Sequence, residues 1–262
     1  MSVFQALILG IVQGLTELLP VSSSAHLFLI PWTFNWPPIG DFDVALHFGT
    51  LLAIGIFFFK DWIELIKGGY KKLAKKEDSF EGKMFWYIVI ATIPGGAIGF
   101  LLDHFAEDIL TNQFVIASAL IVMGVILYIV DKKAKSEVEY KDMTFKQTFL
   151  VGLSQALAFI PGVSRSGITM TTARAMGIKR ESAAKYSFML SAPIVLAATL
   201  YKIKDFAFGE LSFYIGVLAS FIVGIIVIKF LLQYLQKGSF KAFAIYRVII
   251  GIVVLIIAFM RI

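Results

Sequence analysis

The stretch PGVSRSGIT, Pro161 to Thr169, sets Arg165 among the hydroxyls of Ser164, Ser166 and Thr169. A second polar stretch, Ser22-Ser23-Ser24 with His26 just beyond, follows shortly after Gln13 and Glu17. Arginine presents a planar fork of donors that matches phosphate oxygens. Serine-rich turns that open a helix expose backbone N–H groups and the positive end of the helix dipole. Two such helix starts, expected at about Ser23 and Ser166, read together as an anion site, with phosphate the ligand of best fit. Neither stretch carries GxxxxGK followed by Ser or Thr, so nucleotide binding has no support. Hydrolysis needs more than binding. Gln13 and Glu17 are four apart and share one helix face. Glu17 could act as a general base or help hold a cation, since Mg²⁺ usually takes one or two carboxylates plus phosphate oxygens. Ser23 is a candidate nucleophile, activated by an adjacent base. His26 could shuttle a proton. A lone histidine in an apolar helix is more often a hydrogen-bonded packing residue, and only its neighbours raise His26 above that. His47 and His104 lack such neighbours and read as structural. Asp43 reads as a helix cap, with a rim or metal contact as the alternative. Arg174, Arg180, Arg247 and Arg261 sit near expected helix ends and read as snorkelling to the interface.

The elements that must position these groups are membrane helices. The 262 residues are 58% hydrophobic and only 16% charged, against about a quarter charged in a soluble domain. Met84 to Leu102 and Ser212 to Ile228 contain no charge. Uncharged runs of about 18 residues read as spans. Six spans are expected, at roughly 44–60, 84–102, 113–130, 186–202, 212–233 and 243–260. Residues 3–31 and 148–178 differ. Each runs apolar, breaks at a proline and a serine cluster, and resumes. That pattern predicts a re-entrant helix–loop–helix, tolerated only where it is buried in protein or lines a cavity. No cysteine is present, which excludes disulfides and thiolate metal sites. The first apolar segment is interrupted by Gln13 and Glu17 and lacks a basic lead-in, so it reads as mature chain rather than a cleaved signal.

The net charge of +6 marks cytoplasmic loops rather than a nucleic-acid surface. Lysines crowd residues 60–83 and 131–146 and recur at Lys237 and Lys241. Asp103, Glu107 and Asp108 mark an outer loop. The 60–83 run reads as a solvated hairpin attracting anionic headgroups. The Phe57-Phe58-Phe59 triplet reads as lipid-facing, with a lipid-chain groove as the alternative.

An internal repeat organises the whole. LGIVQGLTELLPVSSSA matches VGLSQALAFIPGVSRSG, with Gly10, Gln13, Val21, Ser22 and Ser24 each 142 positions before Gly152, Gln155, Val163, Ser164 and Ser166. The expected fold is therefore an all-α integral membrane protein of one domain, 1–262. It has six transmembrane helices plus two re-entrant units, and residues 1–133 and 145–262 form an inverted-topology repeat, since three spans per half is odd. Phe159 stands where Glu17 does. A pairing of Glu17 with Arg165 could simply hold the halves together, but pairing alone would not require a ring of hydroxyls.

QGLTELLPVSSSAH resembles the Glu/Gln-x-x-x-Glu motif and serine segment of the undecaprenyl pyrophosphate phosphatase family of the bacitracin-resistance type. PGVSRSGIT resembles that family's PGxSRSxxT motif. The resemblance covers essentially the whole chain. It implies hydrolysis of the terminal phosphate of undecaprenyl pyrophosphate at the outer face of the bacterial plasma membrane, recycling the carrier for cell-wall synthesis. It also implies dependence on Mg²⁺ or Ca²⁺. By motif position, Gln13 and Glu17 fall on the acidic pair and metal site, Ser23 on the proposed nucleophile, His26 on the motif histidine and Arg165 on the phosphate-binding arginine. Ser22, Ser24, Ser164, Ser166 and Thr169 are then phosphate-binding neighbours. Gln13 carries no charge where many members have Glu. The expected partners are the polyprenyl pyrophosphate and membrane lipids, with a homodimer left open and no nucleic acid. A lipid-phosphate flippase or anion transporter on the same scaffold is the alternative function. A channel reading is disfavoured, because Glu17 and Arg165 would obstruct a pore.

Overall fold

A computed structural model describes residues 1–102 and 112–261. Among these residues the regular structure is helical, and the only β feature is an isolated bridge between Val138 and Ile178. The helices are α1 (Val3–Thr16), α2 (Ser23–Phe34), α3 (Phe42–Phe57), α4 (Phe59–Lys75), α5 (Phe80–Leu102), α6 (Gln113–Lys133), α7 (Phe145–Ser154), α8 (Arg165–Ala175), α9 (Arg180–Lys202), α10 (Leu211–Lys237) and α11 (Lys241–Met260). The helices α6, α9, α10 and α11 are long and apolar enough to cross a membrane. The pair α3–α4 counts as one more span if taken together, with a 78° bend between its halves. The chain is thus an all-helical membrane protein. The acidic loop of Asp103, Glu107 and Asp108, together with His104, lies outside the described residues.

Both expected breaks are present. The first separates α1 from α2 over residues 17–22. The second follows α7, a short 3-10 turn (Gln155–Phe159) and Pro161-Gly162, and ends at α8. Helices α1 and α7 open with the same capping box. Ser2 and Gln5 form the first and Thr144 and Gln147 the second, again 142 residues apart. Each box satisfies two otherwise orphaned backbone donors. The breaks are held by small-residue crossings, which let helix backbones approach closely where lipid supplies no hydrophobic drive. A Cβ added at Gly14 of α1 would come within 2.8 Å of the Ser220 carbonyl on α10. On α7, a Cβ at Gly152 would strike the Ala91 carbonyl of α5. Helices α6 and α11 cross reciprocally, with Gly251 facing the Ala117 carbonyl and Gly124 facing that of Ala244.

Two expectations are corrected here. Residues 60–83 are not solvated on every side: most of them form α4, whose Leu65, Gly68 and Gly69 are buried as it packs on α5 while its lysines face out. Leu65, Gly68 and Gly69 recur at helical spacing, which a count of lysines conceals. The phenylalanine triplet sits at the α3–α4 bend, and Phe58 is buried against Phe188 rather than facing lipid. Phe57 and Phe59 are exposed.

Candidate active site

The first break turns on Ser22, whose φ of 74° lies in the left-handed region that side chains rarely adopt. The second turns on Ser164 at φ 72°. Such backbone strain costs about 1–3 kcal/mol and persists where the surroundings over-determine it. Both serines cap the helix that follows. Ser22 Oγ accepts from Ala25 N at 3.4 Å and Ser164 Oγ from Gly167 N at 3.0 Å. Each also pairs with the hydroxyl two residues on, Ser24 at 3.3 Å and Ser166 at 3.2 Å. The breaks are tied across the halves. Gly162 N donates to Ser22 Oγ at 3.2 Å, and Ser166 Oγ donates to the Leu19 carbonyl at 2.9 Å.

Arg247 of α11 completes the tie. It is fully buried and donates to the carbonyls of Pro20, Gly162 and Val163 at 2.6–3.1 Å, with Leu120 at 3.4 Å. The snorkelling expectation is therefore wrong for Arg247. One guanidinium satisfies carbonyls of both breaks that have no helical partner. It is equally wrong for Arg174, which is fully buried and joins Arg180 on Asp131 at 2.8 Å each. Arg261 lies over the Trp32 ring. These roles depend on partners dozens to hundreds of residues away, which spacing along the chain cannot reveal.

The tie brings the two helix starts onto Glu17. The Arg165 guanidinium forms an ion pair with Glu17 Oε1 and donates to the Ser191 carbonyl. Ser23 Oγ donates to Glu17 Oε2 at 2.5 Å, and Gln13 Nε2 donates to the same oxygen at 3.2 Å. Glu17 is buried, while Ser23 and Arg165 are only half-buried and so reachable. A hydroxyl on a carboxylate with a guanidinium alongside can deprotonate an attacking oxygen and neutralise a phosphoryl group. Thr169 lies one turn deeper, bonded to Ser187 Oγ at 2.7 Å.

Two histidines exchange the places expected of them. Both ring nitrogens of His26 are engaged by other groups: its Nδ1 meets the Ser22 carbonyl at 2.7 Å, its Nε2 meets the Tyr246 hydroxyl at 2.8 Å, and its ring stacks on Tyr246. His47, expected to be structural, lies with Nε2 3.2 Å from Glu17 Oε2 and Nδ1 3.1 Å from Asp43 Oδ1. Asp43 therefore faces His47, not a cap. The i, i+4 spacing of Asp43 and His47 is the signal that points to this chain of contacts. Asp43 and Ser24 line a cavity of about 640 Å³ between α2 and residues 35–43, walled by Phe28, Trp32 and Trp36.

No cluster of three or more His, Cys, Asp or Glu able to hold a metal occurs among the described residues. The donors at Glu17 nonetheless fit a hard divalent cation completed by substrate oxygens. Gln13 Oε1 is buried without a hydrogen-bond partner, and its amide lies against the Glu17 carboxylate.

The fold and site define a class: a helical membrane protein with two strained helix starts meeting on a buried carboxylate, a serine and an arginine. The family model described as bacitracin resistance protein BacA matches residues 6–253, and the chain belongs to that family. The chain is 48% identical to a protein of Pelotomaculum thermopropionicum named undecaprenyl-diphosphatase, over 100% of this chain and 98% of the relative. It is 45% identical to proteins of the same name from Desulforudis audaxviator and Moorella thermoacetica, over the full length of each.

Proposed function

We propose that this chain is an undecaprenyl-diphosphatase, a hydrolase that converts undecaprenyl pyrophosphate to undecaprenyl phosphate and inorganic phosphate. The carrying observation is the Ser23–Glu17 hydrogen bond of 2.5 Å with Arg165 on the other carboxylate oxygen. Arriving phosphate oxygens draw Arg165 off Glu17, which frees the carboxylate for the serine proton. Ser23 Oγ attacks the terminal phosphorus as Glu17 takes its proton. The P–O bond to the lipid breaks, and undecaprenyl phosphate leaves with the bridging oxygen. Water then attacks the phosphoserine, the P–O bond to Ser23 breaks, Glu17 returns its proton to Ser23 Oγ, and phosphate leaves with the oxygen and protons of the water. Arg165 and the N–H groups opening α2 and α8 neutralise the charge on the transferred phosphoryl. Ser22, Ser24, Ser164, Ser166 and Thr169 support those helix starts. Gln13 Oε1 and Glu17 would hold Mg²⁺ or Ca²⁺, which would supply further positive charge to the phosphate oxygens. His26 fixes the first break through Ser22 and Tyr246, and His47 takes the place beside Glu17.

Residues 1–133 and 145–262 are inferred to form an inverted repeat of six spans and two re-entrant units. Matching caps, matching strained serines and reciprocal glycine crossings support it. The lysine-rich segments 60–83, 131–146 and 234–242 support a reading in which they face the cytoplasm and the cavity of Ser24 and Asp43 opens outward.

The test is phosphate release from undecaprenyl pyrophosphate by purified protein in detergent, with Mg²⁺, Ca²⁺ or EDTA. Metal-dependent release is expected. A folded protein that releases none under any condition overturns the reading and shifts it to lipid phosphate flipping, which vesicles then test.

A further inference from the structure

A second cavity, of about 340 Å³, lies between α3, α5 and α9. Its walls include Val44, Gly96, Phe159, Ile194, Ala197 and Ala198. We infer that this groove seats the isoprenyl segment next to the pyrophosphate, so that headgroup and chain of the substrate are read by different pairs of helices. The inference rests on the phosphatase reading above.

The groove begins one helical turn from residues that touch the reacting groups. On α9, the Ser191 carbonyl accepts from Arg165, and Ile194 stands one turn further along the same face. On α3, His47 meets Glu17, and Val44 stands one turn back. Two turns from His47 and three from Ser191, Asp41 and Lys202 form an ion pair at 3.1 Å. The groove therefore runs between α3 and α9 from Val44 and Ile194, one turn from the residues that touch Glu17 and Arg165, to Lys202 of the Asp41–Lys202 pair. Ser191 to Lys202 is about 16 Å at 1.5 Å per residue. Ala197 and Ala198 are exposed, so the groove opens sideways, where a long chain can pass into lipid.

The walls are suited to hydrocarbon. A Cβ at Gly96 would meet nothing within 4 Å, so α5 leaves that space unfilled. Phe159 lies against Gly99 and closes the inner side. Phe159 holds the position in the second break that Glu17 holds in the first, so one repeat position supplies the carboxylate and its counterpart supplies apolar wall. Lys202 and Tyr201 line the groove at its far end, where Lys202 pairs with Asp41, whereas the larger cavity carries Ser24, Asn35 and Asp43 on its walls and is the poorer seat for the chain.

The test compares wild type with Gly96→Trp and Ala198→Trp on undecaprenyl pyrophosphate, farnesyl pyrophosphate and dimethylallyl pyrophosphate, whose single isoprene unit reaches little of the groove. Filling the groove is expected to raise KM for the two longer substrates about tenfold, with kcat and the one-unit substrate within about twofold. Unchanged KM for the long substrates, or an equal loss on all three, overturns the inference. In parallel, a polyprenyl pyrophosphate carrying a diazirine on its second or third isoprene unit is irradiated with the wild type. Labels on α5 and α9 support the groove. Labels on α2 and residues 35–43, or suppression by phospholipid but not by undecaprenyl phosphate, overturn it. If wild-type protein releases no phosphate from any substrate, the phosphatase reading fails, and the labelling still decides where the chain sits.

Discussion

The two helix breaks share a backbone and differ in chemistry. Each bends at a serine of left-handed φ, caps the next helix with that serine and pairs its hydroxyl with the one two residues on. Five residues before the capping serine, the first break carries Glu17 and the second Phe159. One residue after it, the first carries Ser23 and the second Arg165. The two breaks are therefore matched platforms that differ in the groups they carry: the first holds a serine on a carboxylate, the second an arginine and a phenylalanine. A symmetric site with two carboxylates would bury like charges together, and one with two arginines would have no base. On the proposed phosphatase reading, that difference gives one pocket both a cation for phosphate and a group able to attack it.

The comparison breaks most sharply at Arg165. Arg165→Ala should insert normally and lose turnover by about 10²–10³-fold, as removal of a donor to a developing oxyanion does elsewhere. It also leaves Glu17 buried without its cation, so a fall in thermal stability should accompany the kinetic loss. Steady-state phosphate release and thermal unfolding in detergent read both. Wild-type turnover would mean that the second platform does not handle phosphate. On the first platform, Ser23→Ala should lower kcat by about 10²-fold or more, and acid quenching of the wild type should trap phosphate on Ser23 alone. Full activity in Ser23→Ala would pass the attack to water.

His47 sharpens the comparison from outside the breaks. It touches Glu17 and Asp43 without reaching Ser23 by any hydrogen bond, which makes it a positioning residue. His47→Ala should lower kcat about tenfold with little change in KM, and His47→Gln, which keeps a donor toward Glu17, should restore most of it. A rise in KM with kcat intact would instead place His47 in substrate binding.

Much of this was legible in the sequence, for local reasons. Prolines and serine clusters break apolar periodicity, so both breaks could be placed, and α8 begins at Arg165, one residue before its expected start. Gln13, Glu17, Ser23 and Arg165 do converge, because the 142-residue repeat implies that the breaks face each other. What was not legible depends on long-range packing. Arg247 joins both breaks from a position 84 residues beyond Val163 of the nearer one. His26 turns to Tyr246, 220 residues away, and that contact occupies its Nε2. The α4 helix was masked by its lysines, whose charge outweighs a narrow apolar face.

The smallest expected difference lies in the two capping serines, and it tests how closely the platforms correspond. Ser164 Oγ serves its own helix, accepting from Gly167 N and pairing with Ser166. Ser22 Oγ serves its own helix through Ala25 N and also accepts from Gly162 N of the other break. Ser164→Ala should therefore cost about 1 kcal/mol, the ordinary value of a lost helix cap. Ser22→Ala should cost that and also strand a buried N–H, for a total of about 2–4 kcal/mol. The measurement is the midpoint shift of each variant in one detergent, with Ser22→Ala the lower. Replacing Ser22 by Gly relieves the left-handed φ but still strands Gly162 N, so it should recover only part of the loss. Equal shifts for Ser22→Ala and Ser164→Ala would mean that the cross-break hydrogen bond contributes nothing. The tie between the halves would then rest on Arg247 and on Ser166 donating to the Leu19 carbonyl.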